Sequence, residues 1–277
     1  MFTDLELVAA GRRVKALTWG ARSGVPVMLV HGFPDTPHGW DVIGQALADA
    51  GAFVIAPFLR GYAGSPPARD TTLRDLGDDV CSLVTALGVE QLHLVGHDWG
   101  AEAVNAAVGL APEKVLSLTA IGIPHRAAIT PSPALAWALR HLITLSLPGA
   151  EARFARDDFA MMEVLIKRWS PTWQYTADDL APVKACLREP GVLHAALGYY
   201  RAASVFTPSF MKKPVAVKTL NVAGADDPGV RPAVFEGTRR HYTKGFELLT
   251  VPGGHFCHRE SPTPVITALR RHLGLTG

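Results

Sequence analysis

Cysteine is scarce in this chain. Its 277 residues hold three, Cys81, Cys186 and Cys257. They lie far apart and are odd in number, which argues against a disulfide framework and for free thiols in a reducing compartment. Charge is thin as well. Asp, Glu, Lys and Arg make up 19% of the chain and nearly cancel, leaving a net +2. Lys212-Lys213 and Arg270-Arg271 are isolated pairs, so nucleic acid is not an expected partner. No run of about 18 apolar residues occurs, so no membrane helix is expected. The opening Met1-Phe2-Thr3-Asp4-Leu5 lacks the basic start and apolar block of a signal peptide, and a cytoplasmic location is the expectation. No His-Glu-x-x-His is present, and His255-x-x-His258 has no accompanying third ligand, so no metal and no cofactor are expected. Repeats and low-complexity tracts are missing too.

Apolar side chains are plentiful, at 48%. That suffices for one large domain, or for a core with an inserted subdomain. Leu5 to Trp19 reads as two short strands turning at Gly11. Apolar runs at Val25–Val30, Phe53–Phe58, Gln91–Val95 and Val115–Ile123 read as strands. Helical spacing fills His38–Ala50 and Thr72–Leu87, where Leu73, Leu76, Val80, Leu83 and Val84 share one face. Alternating strands and helices imply a mostly parallel sheet between helical layers. The alternation stops after Pro124. From Arg126 to Met211 the pattern is helical, with breaks at Pro148-Gly149, Ser170-Pro171 and Pro190-Gly191. Strands return at Val215–Val222 and Phe246–Val251, and a last helix starts at Ser261-Pro262. The expected organisation is an α/β core over 1–124 and 215–277, with eight strands, and a helical cap over 125–214.

The apolar run Leu92-His93-Leu94-Val95 leads into Gly96-His97-Asp98-Trp99-Gly100 and then a helical stretch. Gly-x-nucleophile-x-Gly at a strand–helix junction is the nucleophile elbow of the α/β-hydrolase fold. The residue at its apex is Asp98, not Ser or Cys. A carboxylate attacking carbon makes an alkyl ester, which suits epoxide opening or halide displacement rather than acyl transfer.

Such an ester needs a base to activate water, and the base needs an orienting acid, in the chain order nucleophile, acid, His. Asp226 and Asp227 follow the strand ending at Val222. His255 follows the strand ending at Val251, within Gly253-Gly254-His255-Phe256. All three lie just past C-terminal strand ends, where open α/β sheets build their sites. The backbone N–H groups of Trp99 and Phe33 are the expected oxyanion donors. Phe33 belongs to His31-Gly32-Phe33-Pro34, where Pro34 stiffens the turn.

These motifs resemble the α/β-hydrolase-fold epoxide hydrolases, within the epoxide hydrolase and dehalogenase superfamily. The resemblance rests on His31-Gly32-Phe33-Pro34, Gly96-His97-Asp98-Trp99-Gly100, Gly224-x-x-Asp227, Gly253-Gly254-His255-Phe256 and the turn Arg60-Gly61-Tyr62-Ala63-Gly64-Ser65. It runs from about residue 25 to 265. It implies that Asp227 is the acid, with Asp226 as fallback, and that two cap tyrosines protonate the epoxide oxygen. Gly198-Tyr199-Tyr200-Arg201 matches one of these, at Tyr200. The position of the other holds His141, a departure from the family. Phe33, Pro34, Trp99, Tyr200 and His141 are then the expected substrate contacts, the substrate is a small apolar molecule, and a homodimer stays open.

A carbon–halogen hydrolase on the same triad, a haloalkane or haloacetate dehalogenase, is the alternative. A cap His belongs to haloacetate dehalogenases, but their neighbouring Trp is Leu142 here. No arginine fork follows the nucleophile, and Glu102 stands four residues on. A third alternative is a non-catalytic ligand-binding relative. Several residues also have plain structural roles to weigh. Trp99 reads equally as elbow packing, Tyr199 and Cys257 as core, His93 and His97 as satisfied core histidines, and Glu260 as support for the last helix.

Overall fold

The computed structural model describes residues 1–62, 70–128, 137, 139–204 and 206–275. Ala63, Gly64 and Ser65 of the quoted turn lie outside them.

Strands β1 (Thr3–Ala9) and β2 (Arg12–Trp19) form the antiparallel hairpin turning at Gly11. They are followed by β3 (Val25–Val30), β4 (Ala52–Pro57), β5 (Leu92–His97), β6 (Val115–Ile121), β7 (Lys218–Gly224) and β8 (Phe246–Val251). The eight strands form one sheet in the order β1-β2-β4-β3-β5-β6-β7-β8. β2 pairs antiparallel with β4, and every pairing from β4 to β8 is parallel. The continuous apolar runs in β3 to β6 follow from this, because a parallel strand is buried on both faces.

Helices cover the two faces. On one side α2 (Leu73–Ala86) packs on α3 (Trp99–Leu110), with Val80, Leu83, Val104 and Ala107 buried against Leu94 and Leu118. On the other, α1 (Asp41–Asp49) and the last helix (Pro262–Leu273) place Leu47 and Leu269 against Val54, Val95 and Val222. Leu94 and Val95 thus face opposite layers, as adjacent strand residues must. Each such fully buried aliphatic side chain contributes about 1.5–3 kcal/mol.

Among the described residues, four α-helices come between β6 and β7. They are α4 (Arg140–Ser146), α5 (Ala150–Trp169), α6 (Ala177–Leu187) and α7 (Val192–Arg201). The expected breaks at 148–149, 170–171 and 190–191 fall between them. One further break was not expected. Within α5 the backbone leaves the helix at Arg156, and Asp157, Asp158 and Phe159 have φ of 50°, 53° and 65°.

Strand limits differ from the sequence expectation by a few residues, for physical reasons. β5 runs through Gly96 to His97, because β3 and β6 hydrogen-bond it from both sides. β6 stops at Ile121, since Gly122 turns the chain with φ of 75°. β7 begins at Lys218, the first residue paired with β6; Val215 makes only an isolated bridge to Tyr242. His38–Ala50 is two pieces, a 3-10 turn at Pro37–Trp40 and then α1.

The connection from β3 goes to β4 on one side, and β5 lies on the other. A crevice opens where the strand order reverses in this way, outside the carboxyl ends. The loop after β3 and the turn after β5 meet there.

Candidate active site

Asp98 is the residue between β5 and α3. Its φ of 53° and ψ of −120° lie outside the ordinary basins. A non-glycine residue held there costs on the order of 1–3 kcal/mol. Gly100 permits the sharp turn, because a Cβ there would collide with the Val30 carbonyl oxygen of β3. The Asp98 side chain makes no capping hydrogen bond to the first amides of α3, which lack intrahelical partners.

The two Asp98 oxygens have different surroundings. Oδ1 accepts a 2.8 Å hydrogen bond from the Phe33 N–H. Oδ2 lies 3.3 Å from His255 Nε2. On the far side of the imidazole, His255 Nδ1 lies 3.2 Å from Asp227 Oδ2. Asp227 is oriented in turn by the amides of Gly229 and Val230, which donate to its Oδ1 at 2.7 and 3.0 Å. The neighbouring Asp226 turns away and accepts from the Gly253 N–H at 3.0 Å. Of the two candidate acids, only Asp227 reaches His255.

Burial by itself would push the His255 imidazole down. The Asp227 and Asp98 carboxylates outweigh it and hold the group up at about 10. The free site therefore carries an imidazolium between two carboxylates.

Tyr200, on α7, stands over this cluster and is buried. Its ring meets Phe33 at 5.2 Å and Trp99 at 5.5 Å, edge to face in both cases. Burial, and then the Asp98 charge, push its phenol well above its ordinary range, while a hydrogen bond from Trp99 acts the other way. The phenol thus keeps its proton. Tyr199, beside it, is core: its hydroxyl donates to the Arg60 carbonyl. Arg201 does not enter the site. It pairs with Asp70 at 2.8 Å and donates to the His194 carbonyl at 2.9 Å, fixing the end of α7.

His141, on α4, lies 6.0 Å from the Tyr200 ring and 4.8 Å from the Trp169 ring. Arg168 Nη2 lies 3.2 Å from its Nδ1. A guanidinium can only donate, so in that contact Nδ1 is the acceptor. Pro34 is buried and follows Phe33 through a cis peptide bond. Trp99 is half-buried and touches both Tyr199 and Tyr200. Phe154 of α5 packs on Phe33 at 5.3 Å.

Sequence reasoning missed several neighbours. Trp169 lies 5.8 Å from His255 ring to ring. Glu102 does not stand alone: Arg126 is 3.7 Å away, and burial raises the Glu102 carboxyl. Glu260 supports the His255 loop rather than the last helix, accepting from the Gly254 N–H at 2.7 Å. His97 is only half satisfied: Nε2 reaches the His255 carbonyl at 3.0 Å, and Nδ1 is buried without a partner. These contacts join residues up to 158 positions apart, and no local pattern carries them. Cys257 is fully buried, and burial pushes its thiol up, as a packed core residue requires.

A strained residue at a strand–helix elbow, facing a histidine from the loop after β8, defines a hydrolase site of the α/β type. A model of the alpha/beta hydrolase fold matches residues 25–262, and the chain belongs to that family. The AB hydrolase superfamily protein YfhM of Bacillus subtilis is 29% identical over 266 residues, 92% of each chain. Epoxide hydrolase A of Mycobacterium tuberculosis is 37% identical over 129 residues, 45% of this chain and 40% of that one. The fluoroacetate dehalogenase of a Burkholderia species is 26% identical over 91% of this chain and 88% of its own. Among solved structures, epoxide hydrolase A of Mycobacterium thermoresistibile shares the fold with a TM-score of 0.83, at 23% identity over 99% and 98% of the two chains. Among the described residues no helix is long and apolar enough to cross a membrane.

Proposed function

We propose that this hydrolase opens epoxides to vicinal diols through a covalent ester on Asp98. The reading rests chiefly on one arrangement: His255 set between Asp98 and Asp227, with the Phe33 N–H on the other Asp98 oxygen. Asp98 Oδ2 attacks an epoxide carbon, and the carbon–oxygen bond breaks. Tyr200 gives its proton to the leaving alkoxide. Ester formation removes the Asp98 charge, one of the two that hold the His255 proton. The imidazolium then releases that proton, restoring Tyr200, and becomes a base. It takes a proton from water, which attacks the ester carbonyl. The oxyanion forms at Oδ1, which already accepts from the Phe33 amide; the Trp99 amide is the second donor in this reading. Such a donor is worth about 3–4 kcal/mol in other hydrolases. Collapse releases the diol. His141, where the family has a second tyrosine, serves as an additional donor. In this reading 125–214 is the cap over a core of 1–124 and 215–277, and the substrate is a small apolar molecule.

A carbon–halogen hydrolase on the same residues is the second reading. It is favoured by the similarity to the fluoroacetate dehalogenase across nearly its whole length and by His141. Parallel assays separate the two: diol from styrene oxide against halide from 1-chlorohexane and fluoroacetate. Diol formation without halide release is expected. Halide release without diol would reverse the order.

A further inference from the structure

The loop that carries His255 is held by the inserted helices. Three successive amides are fixed in turn. The Gly254 N–H donates to Glu260 Oε1 at 2.7 Å, the His255 N–H to the Trp169 carbonyl at 2.9 Å, and the Phe256 N–H to Ser170 Oγ at 2.8 Å. Trp169 and Ser170 end α5. Glu260 is itself tied to this segment, since Thr172 Oγ1 donates to its Oε2 at 2.6 Å. Three residues of the segment 169–172 thus reach all three amides, Trp169 and Ser170 directly and Thr172 through Glu260. The approach is tight: a Cβ on Gly254 would strike the Trp169 carbonyl oxygen and the Ser170 Cα. From the opposite side His97 Nε2 reaches the His255 carbonyl at 3.0 Å.

Asp227 fixes the imidazole. Nothing in that contact fixes the peptide from which the imidazole hangs. That task falls to the clamp, and within the segment 169–172 Ser170 is the member acting through a side-chain atom directly on the loop. Ser170 is fully buried. Removing Oγ would leave the Phe256 N–H buried without an acceptor.

We propose that Ser170 is a positioning residue for the hydrolytic half of the reaction. Through the Phe256 amide it holds the His255 backbone where Nε2 can activate water against the ester. The proposal rests on the ester reading above. Its kinetic consequence is specific. Where alkylation precedes hydrolysis, slowing hydrolysis lowers kcat and KM together and leaves kcat/KM unchanged, because kcat/KM ends at the first irreversible step. General loss of site geometry lowers kcat/KM as well.

The test compares wild type, Ser170→Ala and Ser170→Thr with styrene oxide, and measures amide exchange over 253–257 without substrate. In Ser170→Ala we expect kcat and KM to fall together by about tenfold, as a modest misplacement of a catalytic group produces. The Asp98 ester should accumulate in the quenched mass spectrum, and exchange at 254–256 should rise. Ser170→Thr keeps the oxygen and should restore all three. A fall in kcat/KM as large as that in kcat, with no ester, overturns the proposal, as do an unchanged kcat and unchanged exchange. Failure to find an ester in any protein, His255→Gln included, while wild type forms diol, overturns the ester reading itself, whatever the exchange data show.

Discussion

Asp98 has two unequal oxygens, and the proposed reaction gives them different roles. Oδ1 is held by the Phe33 amide, and Oδ2 faces His255. The order nucleophile, acid, histidine was legible in the sequence because each residue follows a recognisable apolar strand. The choice of Asp227 over Asp226 was legible only from family spacing; in space it follows from which carboxylate the Gly253 amide holds. The proposed second donor was least legible: His141 stands where the resembled family has a tyrosine, and its partner Arg168 lies 27 residues away. In the proposed reaction Tyr200 is the donor matched to neutral pH, since its phenol stays protonated. Tyr200→Phe should slow alkylation by at least about a hundredfold, the scale of a lost general acid. His141→Tyr should retain or raise the rate by restoring two phenols. Single-turnover alkylation rates check both. A Tyr200→Phe protein that alkylates as fast as wild type contradicts the assignment.

At the scale of elements, the inserted helices are joined to the core by specific polar ties as well as by apolar packing. Arg259, four residues past His255, bridges two elements. Its Nη1 reaches Asp35 at 3.4 Å and its Nη2 reaches Asp179 of α6 at 3.2 Å. Asp35 is buried, and burial already raises its carboxyl despite Arg259. Arg259→Ala would leave that carboxylate without its cation. The expected loss is about 3 kcal/mol, in the range found when one partner of a buried pair is removed. The midpoint of urea unfolding measures it, and Asp35→Asn should recover part of the loss in the double variant. The helices themselves were legible from Pro, Gly and Ser at their ends. The break inside α5 was not. Left-handed Asp157, Asp158 and Phe159 each cost about 1–2 kcal/mol, and the local sequence gives no glycine to mark them. Tertiary contacts hold the turn: Lys184 and Arg188 bind Asp158, and Phe159 is buried against Phe154.

For the whole molecule, buried histidines set the pH range of stability. Burial holds His31, His93 and His272 down at about 4 and His125 at about 3. Unfolded, each titrates near 6.5. Their unfolded forms bind more protons below that pH, so stability falls as pH drops from about 6.5 toward 4. His255 has the opposite sign. Its folded value of about 10 lies above the unfolded one, so its contribution is complete below 6.5 and is lost as pH rises through 10. Urea midpoints should peak near neutrality and fall on both sides. His255→Gln should flatten the fall between pH 7 and 9 and leave the acid side in place. An alkaline fall that persists unchanged in that variant would contradict the His255 assignment. Eight strands in a mostly parallel sheet were legible from the apolar runs and their alternation with helices; their order across the sheet was not. The number of buried neutral histidines was not, because burial of a polar ring is decided by packing across the whole sheet.

The central claim is the ester on Asp98, and oxygen bookkeeping tests it in the unmodified protein. With enzyme in excess over styrene oxide in 18O-water, water attacks the ester carbonyl and the alkyl group leaves with Asp98 Oδ2. The diol of that single turnover should carry no 18O, and the peptide containing Asp98 should gain it. Diol labelled with 18O, beside an unlabelled Asp98 peptide, would mean that water attacks the epoxide directly and would contradict the account.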